Sequence, residues 1–275
     1  MLAVRCPSCG APAPEGGKTC EFCGSALVPD SIGLGLLGAD PARLDGLLKA
    51  AQARVSKQPD DSAARCQLGV CLLKSGRPDE AIAELEKAAE LSPRAWGALY
   101  LLAFAVAAGR SWRNPRVGEL AKRALALNAD MKEAQSLLHI HNGRLIHKAG
   151  GAAQRMADFA AAADEYRAAQ ALEVPEHKSY IYNFSGELFD DLHEARSVVD
   201  PGNTADAESA IKMYQAACQA GYVDSRILTR LGVLLAKTGQ LQLAVWELEK
   251  ALELDPTNDA VRELLASTRE KLPQR

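Results

Sequence analysis

The sequence is poor in the features that point directly to a ligand or a membrane. Aromatic residues make up only 5% of the 275 residues, and the formal net charge is −3, with both signs mixed throughout. This balance argues against a protein that binds a polyanion over its whole surface. The longest uncharged run, Ala95 to Gly109, is too short to cross a bilayer. We therefore expect no membrane span and no general affinity for nucleic acid.

Common catalytic motifs are also missing. The sequence has no GxxxxGK[ST] phosphate loop, no GxSxG nucleophile elbow and no HExxH metal motif. His139, His141 and His147 share one predicted helix, but no two of them are four residues apart. We interpret these histidines as helix-packing residues, and we predict that the chain is not an enzyme.

The start of the chain and the cysteines bear on its location. MLAVR runs directly into Cys6 without the apolar segment of a secretory signal, so we expect none. Of the seven cysteines, four are clustered, and Cys66, Cys71 and Cys218 are scattered over predicted helices. We interpret Cys66 and Cys71 as small packing residues. This usage fits a reducing compartment better than a disulfide framework, so a cytoplasmic location is expected.

The sequence does contain one segment that occurs twice, at residues 62–95 and 225–258. Small residues in both copies would let two antiparallel helices approach closely, and leucines would fill the seam between them. A glycine closes the first predicted helix, and a proline stops the second. Eight positions match in spacing: Leu68, Gly69, Leu72, Gly76, Ala81, Leu85, Ala88 and Pro93, against Leu231, Gly232, Leu235, Gly239, Ala244, Leu248, Ala251 and Pro256.

These positions resemble the tetratricopeptide repeat, a helix–turn–helix of 34 residues. The resemblance implies an all-α fold, a TPR-like α-solenoid of antiparallel helix pairs. We assign residues 40–275 to this domain, with about five helix pairs and a C-terminal capping helix after residue 258. A longer helix at 177–199 carries an apolar stripe from Ile181 to Val199 and a second apolar face, so we expect neighbours on both sides of it.

Residues 1–27 carry two Cys-x-x-Cys pairs separated by ten residues, and a glycine follows each pair. Four thiolates in two such pairs favour one tetrahedral Zn²⁺ in a closed, structural site. The segment resembles a short zinc ribbon. Two disulfides or an iron–sulfur site are the alternative interpretations. The four candidate ligands are Cys6, Cys9, Cys20 and Cys23.

Residues 28–39 form an apolar linker between the two parts. Ile32, Leu34, Leu36 and Leu37 lie among glycines. Such a segment is expected to lie along the first helices. It stays open whether residues 31–38 occupy the binding groove of the repeats.

The family resemblance implies that a partner peptide binds in a groove lined by the first helix of each repeat. We predict a mixed groove with apolar anchors and a thin line of positive charge, suited to a peptide with a few carboxylates. A solvated charged rim is the alternative reading. The groove positions are Cys66, Val70, Leu73, Lys74, Tyr100, Phe104, Ser136, Ile140, Arg144, Arg226, Thr229, Val233 and Lys237.

The expected function is that of a non-catalytic adaptor or scaffold with a protein partner. Repeat proteins that clamp chaperone tails use asparagines where this chain has Gln67, Val70, Arg230 and Val233, so that activity is not predicted. One alternative is a zinc-ribbon regulator that contacts nucleic acid or a transcription-type machine, although the ribbon has little positive charge. Another is an accessory subunit of an enzyme complex.

Overall fold

A computed structural model describes residues 44–149, 155–200 and 202–272 of the chain. The regular structure in these ranges is entirely helical, as predicted, with twelve α-helices and one turn of 3₁₀ helix. None of the described helices is long and apolar enough to cross a membrane. The predicted zinc module at 1–27 and the linker at 28–39 lie outside the described residues.

The chain divides into two compact units between Leu145 and Ile146. The first unit holds two helix pairs, α2 with α3 and α4 with α5, preceded by α1 and followed by most of α6. Its helices are α1 (Leu44–Lys57), α2 (Ser62–Lys74), α3 (Pro78–Leu91), α4 (Trp96–Gly109), α5 (Pro115–Leu127) and α6 (Lys132–Ala149).

The second unit begins in the last turn of α6. In this unit α8 pairs with α9 and α10 with α11, and α12 packs against α11. Its elements are α7 (Arg155–Ala171), the 3₁₀ turn (Pro175–His177), α8 (Lys178–Ser197), α9 (Ala205–Gln219), α10 (Ser225–Lys237), α11 (Leu241–Leu254) and α12 (Asp259–Glu270).

The two matching repeats begin and end their first helices in the same way. Asp61 and Asp224 hold equivalent N-cap positions, where their carboxylates accept the backbone N–H of Ala64 at 3.0 Å and of Ile227 at 2.7 Å. At the other end, Gly76 and Gly239 adopt φ angles of +71° and +80°. Because side chains disfavour this left-handed region, glycine is the residue that lets the chain turn there.

Glycine also allows the paired helices to touch, as the sequence predicted. A Cβ on Gly69 would lie 2.6 Å from Cγ of Leu85, and a Cβ on Gly232 would lie 2.7 Å from Cγ of Leu248. The α8–α9 pair uses the same device, because a Cβ on Gly186 would lie 2.6 Å from the Tyr214 ring. The repeat geometry therefore extends to a pair whose sequence match is weak.

The α12 helix packs on the core of the second unit. Val261 and Leu265 are buried against that core, and the opposite face of α12 is exposed and charged. Arg269 also pairs with Glu249 of α11 at 2.6 Å. One detail of the α8 prediction is wrong: the helix ends at Ser197, so Val199 leaves the apolar stripe and is 88% exposed.

Candidate functional site

The exposed face of α10 holds the part of the predicted groove that the second unit contributes. Arg226, Thr229, Val233 and Lys237 follow one another at intervals of three or four residues, which places them on one side of the helix. All four are exposed or half-buried, whereas Leu231 and the other core residues of α10 are buried. A partner can therefore reach this face along its whole length.

A pocket of about 450 Å³ opens at the N-terminal end of this face. Its volume falls within the range of small-ligand pockets. The start of α10 supplies one wall, and the turn before α12 supplies the other. The lining residues are Asp224, Ser225, Arg226, Thr229, Arg230, Asp255 and Asn258.

Most of the polar groups of the pocket already hold the local backbone in place. Asp224 caps α10, and Asn258 caps α12 by accepting the N–H of Val261 at 3.2 Å. Asp255 accepts the Thr257 hydroxyl at 2.8 Å. With two arginines against two aspartates, the pocket has no formal net charge. Its chemistry suits peptide backbone or a small polar side chain better than a highly charged group.

Arg230 is fixed at the back of the pocket by a hydrogen-bonded triangle. Its Nη1 donates to Oδ2 of Asp190 at 3.0 Å and to the Tyr214 hydroxyl at 3.3 Å. That hydroxyl in turn donates to Asp190 at 3.3 Å. The triangle joins α8, α9 and α10, so the guanidinium is held in one orientation before any ligand arrives.

Burial controls the titration of this triangle. It raises the pKa of the Asp190 carboxyl above its usual range, and the neighbouring Arg230 opposes that change. Burial also raises the pKa of the Tyr214 hydroxyl, and the Asp190 charge adds to the effect. Tyr214 therefore stays a neutral hydrogen-bond donor at physiological pH. The network reaches one step further, because Asp191 lies 3.0 Å from Nε2 of His147 and 3.8 Å from Arg230.

Neither Asp190 nor Tyr214 was predicted from the sequence as a site residue. Asp190 lies on a helix that departs from the repeat pattern, and no motif marks it. One signal was present: Arg230 occupies the position that Gln67 holds in the other matching repeat. The two repeats are otherwise similar, so this change from a neutral to a charged residue indicates that Arg230 has an acidic partner elsewhere in the fold.

Most of the groove positions predicted in the first unit are buried. Cys66, Val70, Tyr100, Phe104, Ser136, Ile140 and Arg144 are all exposed by 8% or less. Phe104 packs between Tyr100 and Trp112, with ring centroids 6.2 and 6.1 Å away. Only Leu73, half-buried, and Lys74, exposed, reach the surface among the predicted positions of this unit. In this conformation the buried residues serve packing.

The described histidines and cysteines fit a structural role. His141 places Nδ1 2.7 Å from the carbonyl oxygen of Trp112, and its ring lies against Gly118. Burial raises the pKa of the Cys66 thiol to about 12 and also raises those of Cys71 and Cys218, so these thiols are poor nucleophiles. Within the described ranges, no group of three or more His, Cys, Asp or Glu side chains is placed to hold a metal ion.

Two segments of the sequence match models of the tetratricopeptide repeat, at residues 62–95 and 202–259. This chain contains tetratricopeptide repeats (TPRs). The first matched segment is the predicted repeat itself, and the second extends the predicted repeat at 225–258 back over α9. A comparison with curated proteins finds no match.

Several solved structures resemble the chain at low sequence identity. One chain of the Cut9–Hcn1 hetero-tetramer of the APC/C superposes with a TM-score of 0.55 at 16% sequence identity, and the match covers 84% of this chain and 41% of that chain. A thermophilic TPR protein of Thermus thermophilus has a TM-score of 0.48 and 19% sequence identity, and the match covers 76% of this chain and 99% of that chain. YrrB, a TPR protein with an unusual peptide-binding site, has a TM-score of 0.39 and 16% sequence identity, and the match covers 82% of this chain and 100% of that chain. At these identities the first comparison supports a shared fold and nothing further.

Proposed function

We propose that this chain is a non-catalytic adaptor that binds a peptide segment of a partner protein along the exposed face of α10. Two observations support the proposal: TPR proteins generally mediate protein–protein interaction, and this face is accessible where most groove positions of the first unit are buried. The main support for the proposal is the accessible α10 face with the pocket at its N-terminal end.

The dimensions of the face suggest how a peptide binds. Arg226 and Lys237 are eleven residues apart, which is about 16 Å along a helix and roughly the length of five extended peptide residues. Carboxylates near the two ends of such a peptide would pair with Arg226 and Lys237. Val233 lies between them and offers an apolar contact. The neutral pocket receives backbone or a small polar side chain beside the fixed Arg230.

The test uses peptides selected from a random library on the full-length chain, with binding followed by fluorescence polarisation. Thr229→Trp fills the pocket, and the Arg226→Glu/Lys237→Glu double variant reverses the charge of the face. Each should weaken binding about tenfold or more, a loss typical of central contacts. Lys212→Glu on α9 is a matched control, because Lys212 is also exposed but lies outside this face. Selected peptides that bind all variants equally well would refute the proposal.

We also propose that residues 1–27 hold one structural Zn²⁺ through Cys6, Cys9, Cys20 and Cys23. The spacing of the two Cys-x-x-Cys pairs supports this ligand set. Elemental analysis of the full-length chain should give one zinc per chain, and the Cys20→Ser/Cys23→Ser variant should lose it. The helical circular dichroism should stay nearly unchanged, because the helices do not need the metal. Retention of one zinc by the variant would show that the ligand set is wrong.

A further inference from the structure

An apolar stripe on α11 lies exposed and is not used by the proposed peptide site. Leu243, Trp246 and Leu254 are 48%, 53% and 55% exposed, which is high for large apolar side chains. Lys250 completes the stripe, with its Nζ 3.0 Å from the centre of the Trp246 ring. The four positions follow at intervals of three and four residues and so share one side of the helix.

The repeat fold itself does not require this stripe. In the other matching repeat, helix α3 has Glu80, Ala83, Lys87 and Leu91 at the corresponding positions. That repeat forms the same helix pair, with the same glycine–leucine contact, although it has neither the first leucine nor the tryptophan. The repeat fold therefore does not need Leu243 and Trp246 of α11. Tryptophan is one of the residue types enriched among the residues that contribute most binding energy in protein interfaces.

We infer that the α11 stripe binds the same stripe of a second copy of this chain, with the two α11 helices antiparallel about a twofold axis. The order of residues carries this inference. Read in opposite directions, Leu243 of one copy faces Leu254 of the other, and Trp246 faces Lys250. In this arrangement each tryptophan contacts a lysine, and the leucines at the two ends of the stripe contact each other. The same surface patch can therefore serve on both copies, as a twofold interface requires.

Charge supports this pairing over a parallel one. A parallel arrangement would bring the two Lys250 side chains together, and like charges in contact are unfavourable. The antiparallel arrangement separates the two Lys250 side chains and places each one against the Trp246 ring of the other copy. In the free chain, Lys250 lies over its own Trp246 ring and 3.8 Å from Glu247 on the same helix. Trp246 nevertheless stays 53% exposed, so its side chain can also meet the lysine of a second copy.

The size of the stripe sets the strength of the dimer. A standard stable interface takes about 800 Å² from each partner, and four half-exposed side chains supply less than that. The dimer is therefore reversible and depends on protein concentration. The prediction is a monomer–dimer equilibrium in sedimentation equilibrium of the full-length chain, with Trp246→Ala raising the dissociation constant by about tenfold or more.

The matching repeat supplies control variants at the equivalent positions of α3. Leu254→Ala and Lys250→Glu should weaken the dimer, whereas Leu91→Ala and Lys87→Glu should leave its dissociation constant unchanged. A second measurement does not depend on variant stability. Photo-leucine at position 254 of a nitrogen-15-labelled chain keeps Trp246 and an apolar side chain at the end of the stripe. Mixed with unlabelled chain, it should give crosslinks to the α11 peptide that contains Leu243 of the other copy.

Three outcomes would overturn the inference. The chain could be monomeric at every concentration tested, or the dimer could be equally strong with Trp246→Ala, or the crosslinks between copies could fall outside α11. Crosslinks from position 254 to a different protein, with no homodimer, would assign the stripe to a heterologous partner and equally reject the proposed pairing.

Discussion

Acidification provides a quantitative test of the packing at the start of α8. His177 lies in the 3₁₀ turn that precedes this helix, and its side chain is fully buried. Burial disfavours the charged imidazolium and lowers the pKa of His177 to about 3, from an ordinary value of 6.5. The histidine is thus neutral in the folded chain at every pH at which the protein is expected to work.

The sign of the effect follows from the two pKa values. The unfolded chain takes up a proton on His177 near pH 6.5, and the folded chain does so only near pH 3. Between these values the unfolded state binds more protons, so the stabilising contribution is complete above pH 6.5 and is lost as the pH falls. At pH 5 the loss is about 2 kcal/mol, from about 1.4 kcal/mol for each pH unit below 6.5.

The assay is urea unfolding followed by circular dichroism at pH 7.5 and pH 5, with His177→Gln compared with the unchanged chain. The variant cannot titrate at this position, so its stability should fall less between the two pH values, by about 2 kcal/mol. The test compares the change in the free energy of unfolding between the two pH values, so a variant that is less stable at both pH values is still informative. His139→Gln is the control, because His139 is only half-buried. An equal pH dependence in the His177 variant and the unchanged chain would refute the reasoning.

Other substitutions test the caps and contacts of the helix pairs, each by chemical denaturation. Gly232→Ala should destabilise the chain by about 1–3 kcal/mol, because its Cβ would overlap Leu248, whereas Gly46→Ala, which faces open space in α1, should be neutral or stabilising. Asp61→Ala removes the N-cap of α2 and should cost about 1 kcal/mol. Tyr214→Phe removes a buried hydroxyl from the Arg230 triangle and should cost about 1 kcal/mol.

The helix pairs were predictable because their determinants are local. Gly69 and Gly232 each contact a leucine on the second helix of the same pair, a short distance along the chain. Gly76 and Gly239 end their helices through their own backbone conformation. Such features depend on residue type and spacing over a few turns. The bounds of α2, α3, α10 and α11 therefore follow the pattern closely.

The accessible surface was not predictable in the same way. The repeat register gives the direction in which Tyr100 and Phe104 point, but their burial depends on what else packs there, which no local pattern encodes. The Asp190–Tyr214–Arg230 triangle joins three helices over a sequence separation of 40 residues. Only the folded chain brings these groups together, so a single sequence shows at most the unusual arginine.

The most direct test of the central claim is affinity capture of a protein partner through the α10 face. The tagged full-length chain is incubated with native lysate, with and without nuclease, and bound proteins are identified by mass spectrometry. We predict a partner whose binding survives nuclease, is lost with Arg226→Glu/Lys237→Glu and is retained with Lys212→Glu. Partners that disappear with nuclease, or that bind the double variant as well as the unchanged chain, would contradict it.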